Sequence, residues 1–251
     1  TARLADVVFP SAQWAEEEGT MTNLEGRVIR RRRVSPPPPE VRTDLELMQM
    51  LAAALGRGHL FPTSCPAELF DELRRASAGG IADYGGITYE RIDRERGVFW
   101  PCPAEDHPGT ARLFTDGFPT PSGRACFHPV RYEGPAEDTS TDFPLFLTTG
   151  RLLAHYQTGT QTRRVDRLLE IAGRPSAQVH PTVARALGLQ SGQEVELKTR
   201  RGSARFRLEV DPGIREDTVF LPFHWGGDEG ANRLTNPVLD PISRMPEFKV
   251  C

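Results

Sequence analysis

The residues from Pro144 to Arg164 gather the groups best suited to grip a charged, hydrogen-bonding ligand. An apolar run, Leu145-Phe146-Leu147, has the length and composition of a short strand. Thr148, Thr149 and Gly150 end it, and Arg151 stands at the exit. The following stretch, His155-Tyr-Gln157-Thr158-Gly-Thr160-Gln-Thr162-Arg163-Arg164, has almost no aliphatic side chains. A strand that empties into such a loop presents backbone N–H groups, hydroxyls and guanidinium forks to one region, which suits a pyrophosphate or a similar polyanion. The same residue types also suit an ordinary polar surface loop, so composition alone leaves both readings open.

The elements that must position this stretch are short. After Phe143 the texture is strand-like. Strands are expected at 145–147, 177–180, 194–199, 203–210, 217–223 and 246–250, with a hairpin around Arg201-Gly202 and a short helix Pro181–Gly188 ended by its glycine. Six short strands in this span suggest a closed β-barrel. Upstream, residues 4–9 read as a helix end and a buried strand, and 18–30 as a loop feeding a strand. Thr43 with Glu46 has capping-box spacing before an amphipathic helix at 44–55, and a second helix is expected at 66–77. Pro36–Pro39 mark a linker or surface crossover, and 85–142, rich in Pro and Gly, read as an excursion over the surface.

Composition bounds the rest. The chain has 251 residues, room for one large domain or two smaller ones, with net charge −3. A pI near 6.1 gives no electrostatic case for nucleic acid, and the run Arg30–Arg33 has no interleaved aromatics. No apolar run approaches the roughly 18–20 residues that span a bilayer. Cys65, Cys102, Cys126 and Cys251 form no CxxC pair, so they offer neither a zinc nor an iron–sulfur spacing, and reduced thiols are expected. The chain opens at Thr1 and closes at Cys251 in what look like interior parts of a fold, so a longer polypeptide is expected.

Several blocks in order carry a resemblance: Ala5-Asp-Val-Val-Phe-Pro10, Glu18-Gly-Thr-Met-Thr-Asn-Leu-Glu25-Gly-Arg27, Phe99-Trp-Pro-Cys-Pro103, Thr149 to Arg164, Val179-His-Pro181, Phe223-His224-Trp225, Ala231-Asn232-Arg-Leu-Thr235 and Met245-Pro-Glu-Phe-Lys249. Together they resemble the C-terminal third of molybdopterin oxidoreductase catalytic subunits of the dimethyl-sulfoxide-reductase superfamily. Assimilatory nitrate reductases are the nearest members and formate dehydrogenase alpha subunits follow. The resemblance implies a Rossmann-like α/β remnant over residues 1–140, with its connecting arm. It implies a mainly β domain over 141–251, a six-stranded double-psi β-barrel that binds molybdopterin dinucleotide.

The implied cofactor is molybdenum bis(molybdopterin guanine dinucleotide). Thr149, Gly150 and Arg151 would meet its pterin or pyrophosphate. His155, Gln157, Thr158, Thr160 and Thr162 would bond its polar edges, and Arg163 or Arg164 would neutralise phosphate. His224, Asn232, Thr235 and Lys249 complete the set, with Glu25 and Arg27 as weaker candidates. No catalytic residue is expected within this chain. The molybdenum ligand and a 4Fe–4S cluster would lie upstream of Thr1, so the fragment alone would not turn over substrate. The chemistry implied is two-electron oxygen-atom transfer from nitrate in the cytoplasm, fed by an electron-donor protein or reductase subunit, with no membrane span.

The loop reads His155-Tyr-Gln-Thr-Gly-Thr-Gln-Thr162 where formate dehydrogenases often have His-Trp-His-Thr-Gly-Thr-Met-Thr, which favours the nitrate branch. Two alternatives stand beside it: the same part of a formate dehydrogenase alpha subunit, and a non-catalytic double-psi barrel acting as a binding or adaptor module.

Overall fold

The computed structural model describes residues 2–251, and the chain divides into two units, Thr1–His128 and Pro129–Cys251. The first is built on a three-stranded antiparallel sheet of β1 (Gly19–Thr22), β2 (Arg27–Arg31) and β3 (Val98–Phe99), in that order. Asn23 makes the β1–β2 turn: its side-chain oxygen accepts from the Glu25 and Arg27 N–H groups, both at 3.0 Å. The segment read as a loop before a strand is therefore half strand itself, because Gly19–Thr22 has Val28–Arg31 to pair with.

Three helices accompany the sheet: α1 (Asp44–Ala54), α2 (Pro66–Ser77) and α3 (Tyr89–Glu95). The capping box is present. The Glu46 N–H donates to Thr43 Oγ1 at 3.3 Å, and the Thr43 N–H donates to the Glu46 carboxylate at 2.8 Å. The run Arg30–Arg32 is matched by this unit's own acids, Arg31 to Glu17 at 3.1 Å and Arg32 to Asp93 at 2.9 Å.

Two expectations fail in this unit. Val7, Val8 and Phe9 form no strand and are exposed, since among the described residues no backbone pairs with them. Residues 85–102 are core rather than surface excursion: Ile87, Ile92, Val98 and Cys102 pack with Val28 and Phe70. Buried Arg91 holds this region together, donating to the carbonyls of Gly86 (3.0 Å) and His107 (2.6 Å) and to Glu95 (3.0 Å). One guanidinium thus satisfies backbone that has no strand or helix partner.

The second unit holds a curled five-stranded sheet in the order β4-β8-β5-β7-β6. Its strands are β4 (Phe146–Gly150), β5 (Ser176–Val179), β6 (Glu194–Thr199), β7 (Gly202–Val210) and β8 (Thr218–Pro222). Two short helices, α4 (Asp166–Ile171) and α5 (Pro181–Ala186), connect them. Alternation along the strands sends Leu147, Ala177, Val179, Ala204, Phe206, Leu208, Val219 and Leu221 into one core. Each such large side chain contributes roughly 1.5–3 kcal/mol when fully buried.

The sixth expected strand is reduced to an isolated bridge, Thr148 to Val250, with paired hydrogen bonds between Leu147 and Cys251. Most of 246–250 is exposed, so only its last residues join the sheet. The β6–β7 turn is Arg200-Arg201, and both side chains bind Glu137, at 2.6 and 2.7 Å. Burial opposes ionisation of Glu137, but the two guanidinium groups overcome it and hold the carboxyl below the usual carboxylate range.

Two measurements check these arrangements. Thr43→Ala removes one half of the capping box and should cost about 1 kcal/mol in urea unfolding. Glu137 has a depressed folded-state pKa, so its stabilisation is complete above the ordinary carboxylate range and lost as pH falls through the folded value. Glu137→Gln should therefore flatten the acid limb of the stability–pH curve while leaving its shape above pH ~6 unchanged.

Candidate cofactor-binding site

Parallel pairing of β4 with β8 sets Gly150 opposite Pro222 and brings both strand exits to the same edge. The Phe223 N–H donates to the Gly150 carbonyl at 3.2 Å, extending the ladder one step. Arg151 and Phe223 then leave the sheet side by side, with the Arg151 guanidinium 5.8 Å from the centre of the Phe223 ring. The Lys249 ammonium lies 5.4 Å from the same ring and donates to the Thr149 carbonyl at 3.3 Å. An aromatic face thus carries two cations at the mouth of the loop. Gly150 is required here: a Cβ would fall 2.3 Å from Phe220 Cε2.

The loop beyond Arg151 is fixed by two touching histidines, whose ring centres are 5.6 Å apart. The Leu152 N–H donates to His224 Nε2 at 2.7 Å, and His224 Nδ1 meets the Gln157 carbonyl at 2.5 Å. Since a carbonyl only accepts, Nδ1 carries the hydrogen and the ring is neutral. His155 Nε2 donates likewise to the Ala172 carbonyl at 2.6 Å, just past α4. Its Nδ1 lies 3.2 Å from the Thr162 hydroxyl oxygen, which accepts the Tyr156 N–H at 3.2 Å. Trp225 meets the His155 ring edge-on, 5.1 Å between centres.

These bonds engage four of the expected residues within the protein. The side-chain polar atoms of His155, Thr162 and His224 are engaged within the protein, as is the Thr149 hydroxyl, which donates to the Phe248 carbonyl at 2.7 Å. Thr149, His155 and His224 are also buried. All four shape the loop, with Thr162 half-buried.

The outward set is different. Arg151, Gln157, Thr158, Thr160 and Arg164 are exposed. The Thr158 and Thr160 hydroxyls bond each other at 2.7 Å, and Arg163 donates to the Thr158 carbonyl at 3.4 Å. Arg163 Nε is buried with no partner, an orphan donor inside the loop. Gln157 and Gly159 adopt φ of 49° and 68°, and the Gly159 N–H closes the turn by donating to the Tyr156 carbonyl at 2.9 Å.

Asn232 and Thr235 lie on a second segment, after β8. Their segment is tied to the β6–β7 turn, where Thr199 and Arg201 both donate to the Leu234 carbonyl. Neither makes a side-chain hydrogen bond among the described residues. Asn236, which sequence reasoning missed, anchors this segment by donating to the Val250 carbonyl at 2.9 Å. Phe223 was also missed as a platform, although its place in Phe-His-Trp was the only available signal. Glu25 and Arg27 lie in the first unit and face each other at 3.6 Å. Among the described residues no cluster of three His, Cys, Asp or Glu could hold a metal, and no helix is long and apolar enough to cross a membrane.

Arg151 and Lys249 at the strand exit, and Arg163 and Arg164 further along the loop with its hydroxyls and a carboxamide, are donors of the kind a polyanion accepts from. In comparison with known proteins, residues 145–251 match the molydopterin dinucleotide binding domain, and residues 1–54 match molybdopterin oxidoreductase. The chain thus resembles the molybdopterin oxidoreductases over both matched stretches. It is 44% identical over its whole length to the assimilatory nitrate reductase catalytic subunit of Bacillus subtilis, covering 36% of that protein. It is 37% identical to the F420-dependent formate dehydrogenase 1 subunit alpha of Methanococcus maripaludis, again over the whole chain and 36% of the relative. The solved structure of acetylene hydratase from Pelobacter acetylenicus shares the fold, with a TM-score of 0.73 over 99% of this chain and 37% of that one, at 20% identity. The chain thus spans about a third of the length of these relatives.

Gly150→Ala places a methyl group in the Phe220 ring and should destabilise the second unit by about 1–3 kcal/mol, the range for overpacking. Urea unfolding followed by Trp225 fluorescence, compared with the silent control Gly226→Ala, checks this.

Proposed function

We propose that this chain is the dinucleotide-holding part of a molybdenum bis(molybdopterin guanine dinucleotide) oxidoreductase that reduces nitrate to nitrite. The observation that carries the reading is the β4–β8 exit, where a cation-lined loop with an unpartnered buried Arg163 Nε lies within the matched dinucleotide-binding domain. Arg163 and Arg164 neutralise phosphate, Arg151 and Lys249 hold the charge at the strand exit, and Gln157, Thr158 and Thr160 bond polar edges. Asn232 and Thr235 supply amide and hydroxyl contacts from the second segment. When bound, the cofactor supplies two-electron oxygen-atom transfer. The chain's own task is to bind and orient it.

The domain reading that goes with this is a Rossmann-like end over residues 1 to about 140 and a double-psi barrel from about 141. The five paired strands and the Thr148–Val250 bridge support the barrel. The same reading includes an iron–sulfur cluster and molybdenum ligand supplied by other parts of the protein, an electron-donor partner and a cytoplasmic setting. Nitrate is favoured over formate by 44% identity against 37–40% and by the loop sequence at 155–162. Formate oxidation is the second reading, supported by a formate dehydrogenase alpha subunit aligning over the entire chain.

The test uses full-length protein purified anaerobically. Molybdenum, guanine nucleotide and nitrate-dependent oxidation of reduced viologen are expected together. Formate oxidation without nitrate turnover moves the protein to the second reading, and absence of guanine nucleotide after reconstitution contradicts the binding role. Arg163→Ala should weaken dinucleotide retention about 10- to 100-fold, the loss expected for one charge-assisted contact.

A further inference from the structure

We propose that His224 is a positioning residue that sets the direction in which Arg151 and Gln157 leave the backbone. The proposal rests on the reading of the 149–164 loop as the dinucleotide site, and it assigns His224 no contact with the ligand.

Three observations converge. His224 is 1% exposed, and each ring nitrogen is taken by main chain, Nε2 by the Leu152 N–H and Nδ1 by the Gln157 carbonyl. The two groups it bridges bracket the arm that begins at Arg151. Gln157, at one end of that arm, has φ of 49°, a conformation that L residues other than Asn and Gly rarely adopt, and its carbonyl is the one His224 holds. The ring itself is located by the sheet, because Phe223 closes the β4–β8 ladder on Gly150 and His224 follows it directly.

Function as a bridge needs a donor and an acceptor on one rigid ring, about a ring-width apart. A neutral imidazole protonated at Nδ1 supplies both, whereas an imidazolium would set an N–H against the Leu152 N–H. Asparagine can imitate only the Nδ1 side, and glutamine only the Nε2 side. Neighbouring Trp225 and His155 pack against the ring, and His155 closes the far end of the same loop on Thr162 and Ala172. Arg151 and Lys249, the cations nearest this exit, both lie over Phe223.

The experiment is a double-mutant cycle in the full-length holoenzyme, reading release of bound guanine dinucleotide by gel filtration and nucleotide analysis. Arg151→Ala and His224→Asn should each raise the release rate about 10-fold. Because His224 acts through the arm that carries Arg151, the double variant should release little faster than either single one. An additive loss of about 100-fold in the double variant overturns the positioning role. Unchanged release in Arg151→Ala overturns instead the reading of the loop as the dinucleotide site. A second measurement needs no variant that must fold: nitrogen NMR of 15N-histidine-labelled full-length protein should show His224 neutral and protonated at Nδ1. A His224 protonated at Nε2 overturns the bridge.

Discussion

Parallel pairing of β4 with β8 is the constraint on which the rest of the second unit depends. These strands are separated in sequence by residues 151–217, so their register is set by packing rather than by a turn. Leu147 and Thr149 point inward on β4, as Val219 and Leu221 do on β8, and a one-residue slip would turn each set outward. With the register fixed, Gly150 and Pro222 end the ladder together, and the chain that follows each strand emerges at one edge. Arg151, Phe223, His224 and Lys249 are neighbours only because of that coincidence.

From that edge the loop is held by donors and acceptors rather than by apolar packing. Residues 155–164 have almost no side chains able to form a core, so order must come from hydrogen bonds. His224 holds the near end and His155 the far end, and both bonds to carbonyls are short. An ordered loop binds more tightly than a mobile one because less conformational freedom is lost on association. Cations placed on Phe223 and a buried, unpartnered Arg163 Nε complete an edge with more donors than its own acceptors can use.

Where the determinants are local, the sequence was legible. The Thr43–Glu46 capping box, the Pro66 helix start, the alternation of 194–210 and the Gly/Thr/Arg texture after β4 all read directly from residue types and spacing. What escaped depends on distant partners. Ile87 and Cys102 are core because Arg91 gathers carbonyls from a coil-like segment, and no pattern in 85–102 announces that. Helix α4 is only six residues long, too brief to establish a period. The run 246–250 reaches the sheet only at its last residues, because Pro246 and Glu247 pair instead with Leu239 and Val238. His155, Thr162 and His224 read as polar groups of the loop; that the two histidines are buried and Thr162 is bonded within the loop follows from carbonyls and N–H groups whose positions only the fold supplies.

The central claim is that the edge formed by 149–164, 223–224 and 249 receives a dinucleotide. Hydrogen–deuterium exchange of the full-length protein, with and without its cofactor, tests it most directly. The account predicts added protection concentrated at the amides of 157–164, less change at Leu152, already bonded to His224, and none along β6. Unchanged exchange throughout 149–164, with protection appearing elsewhere in the second unit, would contradict it.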